Sequence, residues 1–254
     1  MAESEQRHYE FWQKYSSVKQ GPDMLKVRLL MLLKLVLGTT FAIKFMEKQE
    51  VAIIGKYKEF EPAIPDSEKV DFRSMIEDEE VHEKEASGEV KGSYIRYISF
   101  IILGLADAIV EISGIHAGSL GIYKSTELTG VAGIVAGGAA SIAMASAAYA
   151  QAKQGFEGKA SVSAAFTGIS YFVNAICLAA PYFLTSTQAV AFTTSVVVAL
   201  IIIGFTSYFN SVVSDSKFIK DFAELAGIML AASAALYILG LVIASFLKIS
   251  AAVV

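Results

Sequence analysis

Residues 98–122 read ISFIILGLADAIVEISGIHAGSLGI. A helix of about 20 apolar residues crosses the roughly 30 Å hydrocarbon core of a bilayer, and this stretch is long and apolar enough. It nevertheless carries two acids, Asp107 and Glu111. A charge near the centre of a spanning helix costs about 2.5–3.5 kcal/mol on insertion scales, so ionisable residues at that depth are functional candidates by default. At about 100° per residue the two lie about 40° apart, one turn from each other on one face. Gly114, Gly118 and Gly121 fall within about 40° of Asp107, and glycines so spaced let helix backbones approach closely. The stripe predicts a two-fold interface in which each copy brings its acids to a shared polar path. Hard oxygen ligands suit divalent cations, and carboxylates exchange protons as ions pass. The alternative is that Asp107 caps a helix break, or that both acids face water near a membrane edge. His116 lies about 180° from Asp107 and reads as a packing or outer-end residue rather than a ligand.

Working outward, four more stretches have the same character. The predicted spans are Tyr97–Ile122, Leu128–Gln151, Val162–Leu184, Gln188–Val212 and Asp221–Leu247, which makes the chain an all-α membrane protein. The connections between them are too short to hold a folded domain, so the division is a head, 1–94, and a membrane body, 95–254. Charge is partitioned accordingly: 33 of the charged residues fall in positions 1–97 and 13 in 98–254. With 54% hydrophobic and 18% charged residues, the chain is neither an ordinary soluble domain nor a disordered one. A net charge of −4 gives no reason to expect nucleic acid. The single cysteine, Cys177, excludes a disulfide framework and a cysteine-based metal site. The acidic, polar start does not read as a signal peptide.

Positive charge sets the expected orientation. Lys84, Lys91 and Arg96 precede the first span, Lys153 and Lys159 follow the second, and Lys217 and Lys220 follow the fourth. The other side has Lys124 and Lys248. The head is therefore expected in the cytoplasm and the C-terminus outside. One apolar run inside the head, Leu29–Phe45, has Lys34 at its middle and Lys44 near its end. It reads as part of a long helix in a soluble bundle, buried on most sides, rather than as a sixth span.

In the second span, Gly133, Gly137, Ser141 and Ala145 form a small-residue stripe suited to tight packing. Ser141 and Met144 offer a hydroxyl and a thioether to a passing metal, although a methionine there also serves simple packing. Asn174 in the third span reads as a cross-helix hydrogen-bonding residue, and Pro181 as an ordinary kink or terminus.

The head reads as a polar start (1–20), a long helix (23–60) capped by Asp23, and an acidic helix from Asp71, with Pro62 and Pro65 breaking the chain between the last two. Glu47 and Glu50 are spaced i, i+3 on the long helix, and the acidic helix contains Glu79-x-x-His82. Facing helices carrying Glu and Glu-x-x-His form the ligand set of di-iron carboxylate bundles. The plainer reading is a solvated acidic face. Glu80, Glu83, Glu85 and Glu89 are then surface, or a funnel that concentrates cations.

Three stretches carry a family likeness: ADAIVEISGIHAG, GIVAGGAASIAMASAAYAQAKQ and AFTGISYFVNAICLAAPYFL. They resemble the vacuolar iron transporter family over the five spans. The resemblance implies a homodimer whose first and second spans line a divalent-metal path, exchanging cytosolic Fe²⁺ or Mn²⁺ for protons. Asp107 matches the family's first-span aspartate and Ser141 the serine before its methionine. That methionine is Ile142 here, with Met144 two positions on; Glu111 stands four residues after the aspartate, as in one branch of the family. The head resembles a rubrerythrin or ferritin-like domain. Such domains have four helices and two Glu-x-x-His groups, so one such group per chain implies a di-iron site completed across a dimer.

The expected function is proton-coupled export of cytosolic iron or manganese, with Glu47, Glu50, Glu79 and His82 binding iron and Asp107, Glu111, Ser141 and Met144 lining the path. The alternative is a membrane-anchored ferritin-like oxidase or iron sensor without transport. Whether the head acts as an enzyme stays open; a prokaryotic plasma membrane is favoured over a vacuolar one.

Overall fold

The computed structural model describes residues 2–16, 21–89, 93–123, 125–155, 159–214 and 216–246. They are helical, with no strand among the described residues: α1 Ala2–Gln13, α2 Met24–Phe60, a short 3-10 turn Glu61–Ala63, α3 Lys69–Glu89, α4 Ser93–Ile122, α5 Thr126–Lys153, α6 Ala160–Leu184, α7 Gln188–Val213 and α8 Phe218–Phe246. The chain divides into two compact units, Met1–Ile95 and Arg96–Val254.

In the first unit, α1, α2 and α3 share one apolar core. Phe11 of α1, Ile54 of α2, Ile64 after the 3-10 turn, and Phe72, Met75 and Ile76 of α3 are buried together, with Trp12 and Tyr57 packed against them. Trp12 stands edge-on to Phe72 and donates its indole N–H to the Tyr57 hydroxyl at 3.1 Å. The polar start is therefore a helix of the core, a third one where two were expected. Its sequence, AESEQRHYEFWQ, hides this because its largest apolar side chains fall together at Phe11–Trp12 in the last turn.

α2 begins as expected at Asp23, whose carboxylate accepts from the N–H groups of Leu25 (3.0 Å) and Lys26 (3.3 Å). It is not one continuous helix. Gly38 has φ 88° and ψ 164°, a region essentially restricted to glycine, and α2 is two helices joined there. Burial differs between the halves. Phe41, Ala42, Lys44 and Ile54 are buried, whereas Leu25, Met31, Leu32 and Leu35 are exposed. The expectation of a helix buried on most sides is thus corrected for the half before Gly38.

In the second unit, five helices are long and apolar enough to cross a membrane: Tyr97–Ile122 within α4, then α5, α6, α7 and α8. This is the pattern of a multi-pass membrane protein. α5 starts two residues earlier than the hydropathy predicts because Ser125 caps it, accepting from the Leu128 N–H at 3.2 Å. Its small stripe packs as expected: a Cβ on Gly137 would lie 2.6 Å from Ala175 of α6, and Ser141 is buried. The glycine stripe of α4 has a different use. A Cβ on Gly114 or Gly118 would meet Leu236 of α8, and one on Gly121 would lie 2.9 Å from the Tyr237 carbonyl. Those glycines seat α8 within the same chain, so they are already spent and are not a free two-fold surface.

Replacing Gly38 with Ala should cost the first unit about 1–3 kcal/mol. Hydrogen exchange on the full chain would show it as faster exchange along α2; unchanged exchange would mean that the break is not needed.

Candidate metal sites

The first unit gathers Glu5, His8 and Glu79. Glu5 and His8 are one turn apart on α1, and Glu79 reaches them from α3. His8 and Glu79 are both 4% exposed, while Glu5 is exposed. The His8 Nδ1 lies 3.2 Å from Glu79 Oε1 and 4.0 Å from Glu5 Oε2. Neither ring nitrogen makes a hydrogen bond of acceptable geometry. A cation bound to nitrogen and oxygen donors at about 2.1 Å separates those donors by at most about 4.2 Å, and both spacings fall inside that limit. Two carboxylates converging on one imidazole nitrogen are a donor set that could hold a shared cation.

The other face of the imidazole meets Asp78, whose Oδ2 is 3.5 Å from His8 Nε2 and accepts from Arg7 at 2.9 Å. Asp78 thus sets a negative charge behind the ring, on the side away from Glu79, without a hydrogen bond that would fix the tautomer. Tyr57 of α2 completes the surroundings. Burial pushes its phenol up from the ordinary range, and the nearby charges of Glu79 and Glu5 push the same way while the Trp12 hydrogen bond opposes them.

Of the head residues predicted as ligands, the structure brings Glu79 into this group. Glu50 lies half-buried on α2 and is not in it. The side chains of Glu47 and His82 lie outside the described residues. The residues that sequence reasoning missed are Glu5 and His8, and the signal was present: Glu5-x-x-His8 repeats the spacing of Glu79-x-x-His82. One chain therefore carries two Glu-x-x-His groups, and the Glu5–His8–Glu79 group forms without a second copy. The expectation of a single Glu-x-x-His group per chain is corrected.

The second unit holds the α4 acids. Asp107 is half-buried and Glu111 exposed in the single chain. Glu111 Oε2 accepts from the Tyr171 hydroxyl of α6 at 2.6 Å. α6 is brought close by hydroxyls and amides bonded to α4 carbonyls: Thr167 to Phe100 at 3.1 Å, Ser170 to Ile101 at 3.2 Å and Asn174 to Leu105 at 2.9 Å. A side chain at Gly104 would prevent this, since its Cβ would fall 2.5 Å from the Thr167 carbonyl. Asn174 thus bonds across helices as expected. Ser141 turns its hydroxyl to the Gly138 carbonyl of its own helix at 2.8 Å. Met144 packs on the cluster that includes Ala108, next to Asp107 in the chain, and Tyr171, the donor to Glu111. Such an arrangement holds one carboxylate in place and leaves its outer side open to a cation, a proton or a second protein surface.

No protein-family model matches the chain, and no curated protein matches it.

Metal analysis of the full chain checks the first of these sites. His8→Ala or Glu79→Gln should each remove a bound divalent cation, and Asp78→Asn should weaken it about 10–100-fold. Unchanged binding in all three would exclude the site.

Proposed function

We propose that the chain carries divalent iron, or manganese, out of the cytoplasm in exchange for protons, and that its N-terminal unit binds the metal beforehand. The observation that carries this reading is the placement of Asp107 and Glu111. At about 1.5 Å per residue they lie about 15 and 21 Å along the span from Tyr97, in the middle of the 26-residue stretch. A plain anchor has no use for acids at that depth. Oxygen donors there suit a hard divalent cation, and the same carboxylates take up protons once the cation leaves.

Glu111 is exposed on a chain taken alone, and an exposed carboxylate cannot face lipid tails cheaply. A homodimer that joins the α4 acids of two copies resolves this. The exposed leucines before Gly38 support association in the head as well. Lysine and arginine placement supports a cytoplasmic N-terminus and an outer C-terminus. The likeness to vacuolar iron transporters favours Fe²⁺ and Mn²⁺, with Ser141 and Met144 beside the path.

The buried His8–Glu79 pair favours a second reading, a membrane-anchored iron oxidase or sensor in which the spans do not transport. Flux separates the two. Full-length protein in liposomes should move Fe²⁺ and Mn²⁺ under a pH gradient. Asp107→Asn and Glu111→Gln should each reduce that flux at least about tenfold, and Tyr171→Phe should raise the concentration for half-maximal flux about tenfold, as loss of an outer partner does. Wild-type liposomes that pass no metal would leave the anchored reading.

A further inference from the structure

Where α7 gives way to α8, a recess of about 250 Å³ opens between α4, α7 and α8. Its α4 wall is Ile102 and Ala106. Ala106 lies about 100° around the helix from Asp107, so the recess is separate from the α4 acids. The other walls bring polar groups: Ser207 and Asn210 from α7, and Asp221 and Glu224 from α8.

Asp221 is fixed by the turn between the two helices. Its Oδ2 accepts from the Asn210 amide at 2.9 Å and from the Ser216 hydroxyl. Its Oδ1 has no hydrogen-bond partner among the described residues. Glu224 stands one turn later on α8, exposed and without an ion pair among the described residues. Two acids one turn apart are common on helix surfaces; Ser207 sets this pair apart. It is 3% exposed and lines the recess. Its neighbours on α7 turn their hydroxyls back to the helix, as buried hydroxyls commonly do. Thr206 donates to the carbonyls of Ile202 and Ile203 at 3.0 Å, and Ser211 to that of Tyr208 at 2.8 Å. The Ser207 hydroxyl makes no hydrogen bond among the described residues. A buried polar group left so is costly, and its partner is then water or an ion.

Two carboxylates and a hydroxyl, drawn from two helices, are hard oxygen donors of the kind that divalent cations take. A water occupies about 30 Å³ of liquid, so the recess has room for a cation that keeps several of its waters, as Mg²⁺ does. The C-terminal end of α7 favours a cation there, whereas the start of α8 and the exposed Lys220 oppose one. Binding is therefore loose. We propose that this recess holds a hydrated divalent cation on Asp221 Oδ1, Glu224 and Ser207, and that the cation ties the end of α7 to the start of α8. Its dissociation constant is about 10⁻⁴–10⁻³ M, the range of weak oxygen sites. The site stands whether or not the chain transports metal.

The chain has two asparagines, and they report on different places. The Asn210 amide donates to Asp221, whereas the Asn174 amide donates to the Leu105 carbonyl, two residues before Asp107. Nitrogen-15 labelling of asparagine in the full chain, held in zwitterionic lipid and titrated with Mn²⁺, reads the two separately. The Asn210 side-chain signal should broaden with a midpoint of about 10⁻⁴–10⁻³ M. Glu224→Gln should raise that midpoint about tenfold, because affinity follows the charge of the ligands, and leave the Asn174 signal unchanged. Ser207→Ala should raise it less. An Asn210 signal that stays sharp at about 10⁻² M in the wild-type chain overturns the proposal, and so does an unchanged midpoint in Glu224→Gln. Broadening of Asn210 with a sharp Asn174 signal supports this site and counts instead against metal at the α4 acids. Mg²⁺ at about ten times its dissociation constant should also slow amide exchange at the end of α7 and the start of α8 about tenfold. Unchanged exchange there overturns the tie between the helices.

Discussion

The membrane body is organised around one hydrogen bond, from the Tyr171 hydroxyl to Glu111. A carboxylate at the middle of a spanning helix costs about 2.5–3.5 kcal/mol, and a hydrogen bond to a charged group returns about 1.5–3 kcal/mol. The one bond offsets most of the cost but leaves the carboxylate half-solved, still exposed on its other side. To make even that bond, α6 must come close to α4 along its length. The approach explains why α4 has glycine at 104 and why α6 carries Thr167, Ser170 and Asn174, each bonded to an α4 carbonyl. Apolar packing alone would hold two such helices together without any of these groups. Together they fix the face that α6 turns toward Glu111.

The N-terminal unit meets a related problem with different means. His8 and Glu79 are buried together in a small three-helix core, 3.2 Å apart, where charge is kept only with a partner at hand. Aromatic packing of Phe11, Trp12, Tyr57 and Phe72 fixes the helices that carry them. Asp78 and Arg7 hold the outer side of the imidazole. Each unit thus holds carboxylates fixed by residues of a neighbouring helix, Glu79 beside His8 of α1 and Glu111 beside Tyr171 of α6.

Much of this was legible in the chain because hydropathy is a collective signal. The five spans emerge with edges displaced by a few residues, and the displacement at α5 has a local cause in the Ser125 cap. Asp107 and Glu111 stood out as exceptions to an apolar pattern. Their surroundings did not. Any polar residue on α6 had an equal claim to Glu111 until the helices were packed, and the glycine stripe of α4 matched a neighbouring chain as well as it matched α8. Glu5-x-x-His8 was overlooked because a short helix rich in Glu and Gln shows little apolar periodicity, although the ligand spacing itself was in plain view. The break at Gly38 sits in a continuous apolar run, LKLVLGTTFAIKF, whose hydropathy hides a single change of direction although Gly38-Thr39-Thr40 is a weak point in helix propensity.

The central claim is that the α4 carboxylates bind a divalent cation within the membrane body. Electron paramagnetic resonance of Mn²⁺ on the full chain, with the head's site removed by His8→Ala and Glu79→Gln, tests it most directly. The account predicts a tightly bound Mn²⁺ that survives those changes and disappears on adding Asp107→Asn and Glu111→Gln. Loss of all bound Mn²⁺ with the head substitutions alone would contradict it.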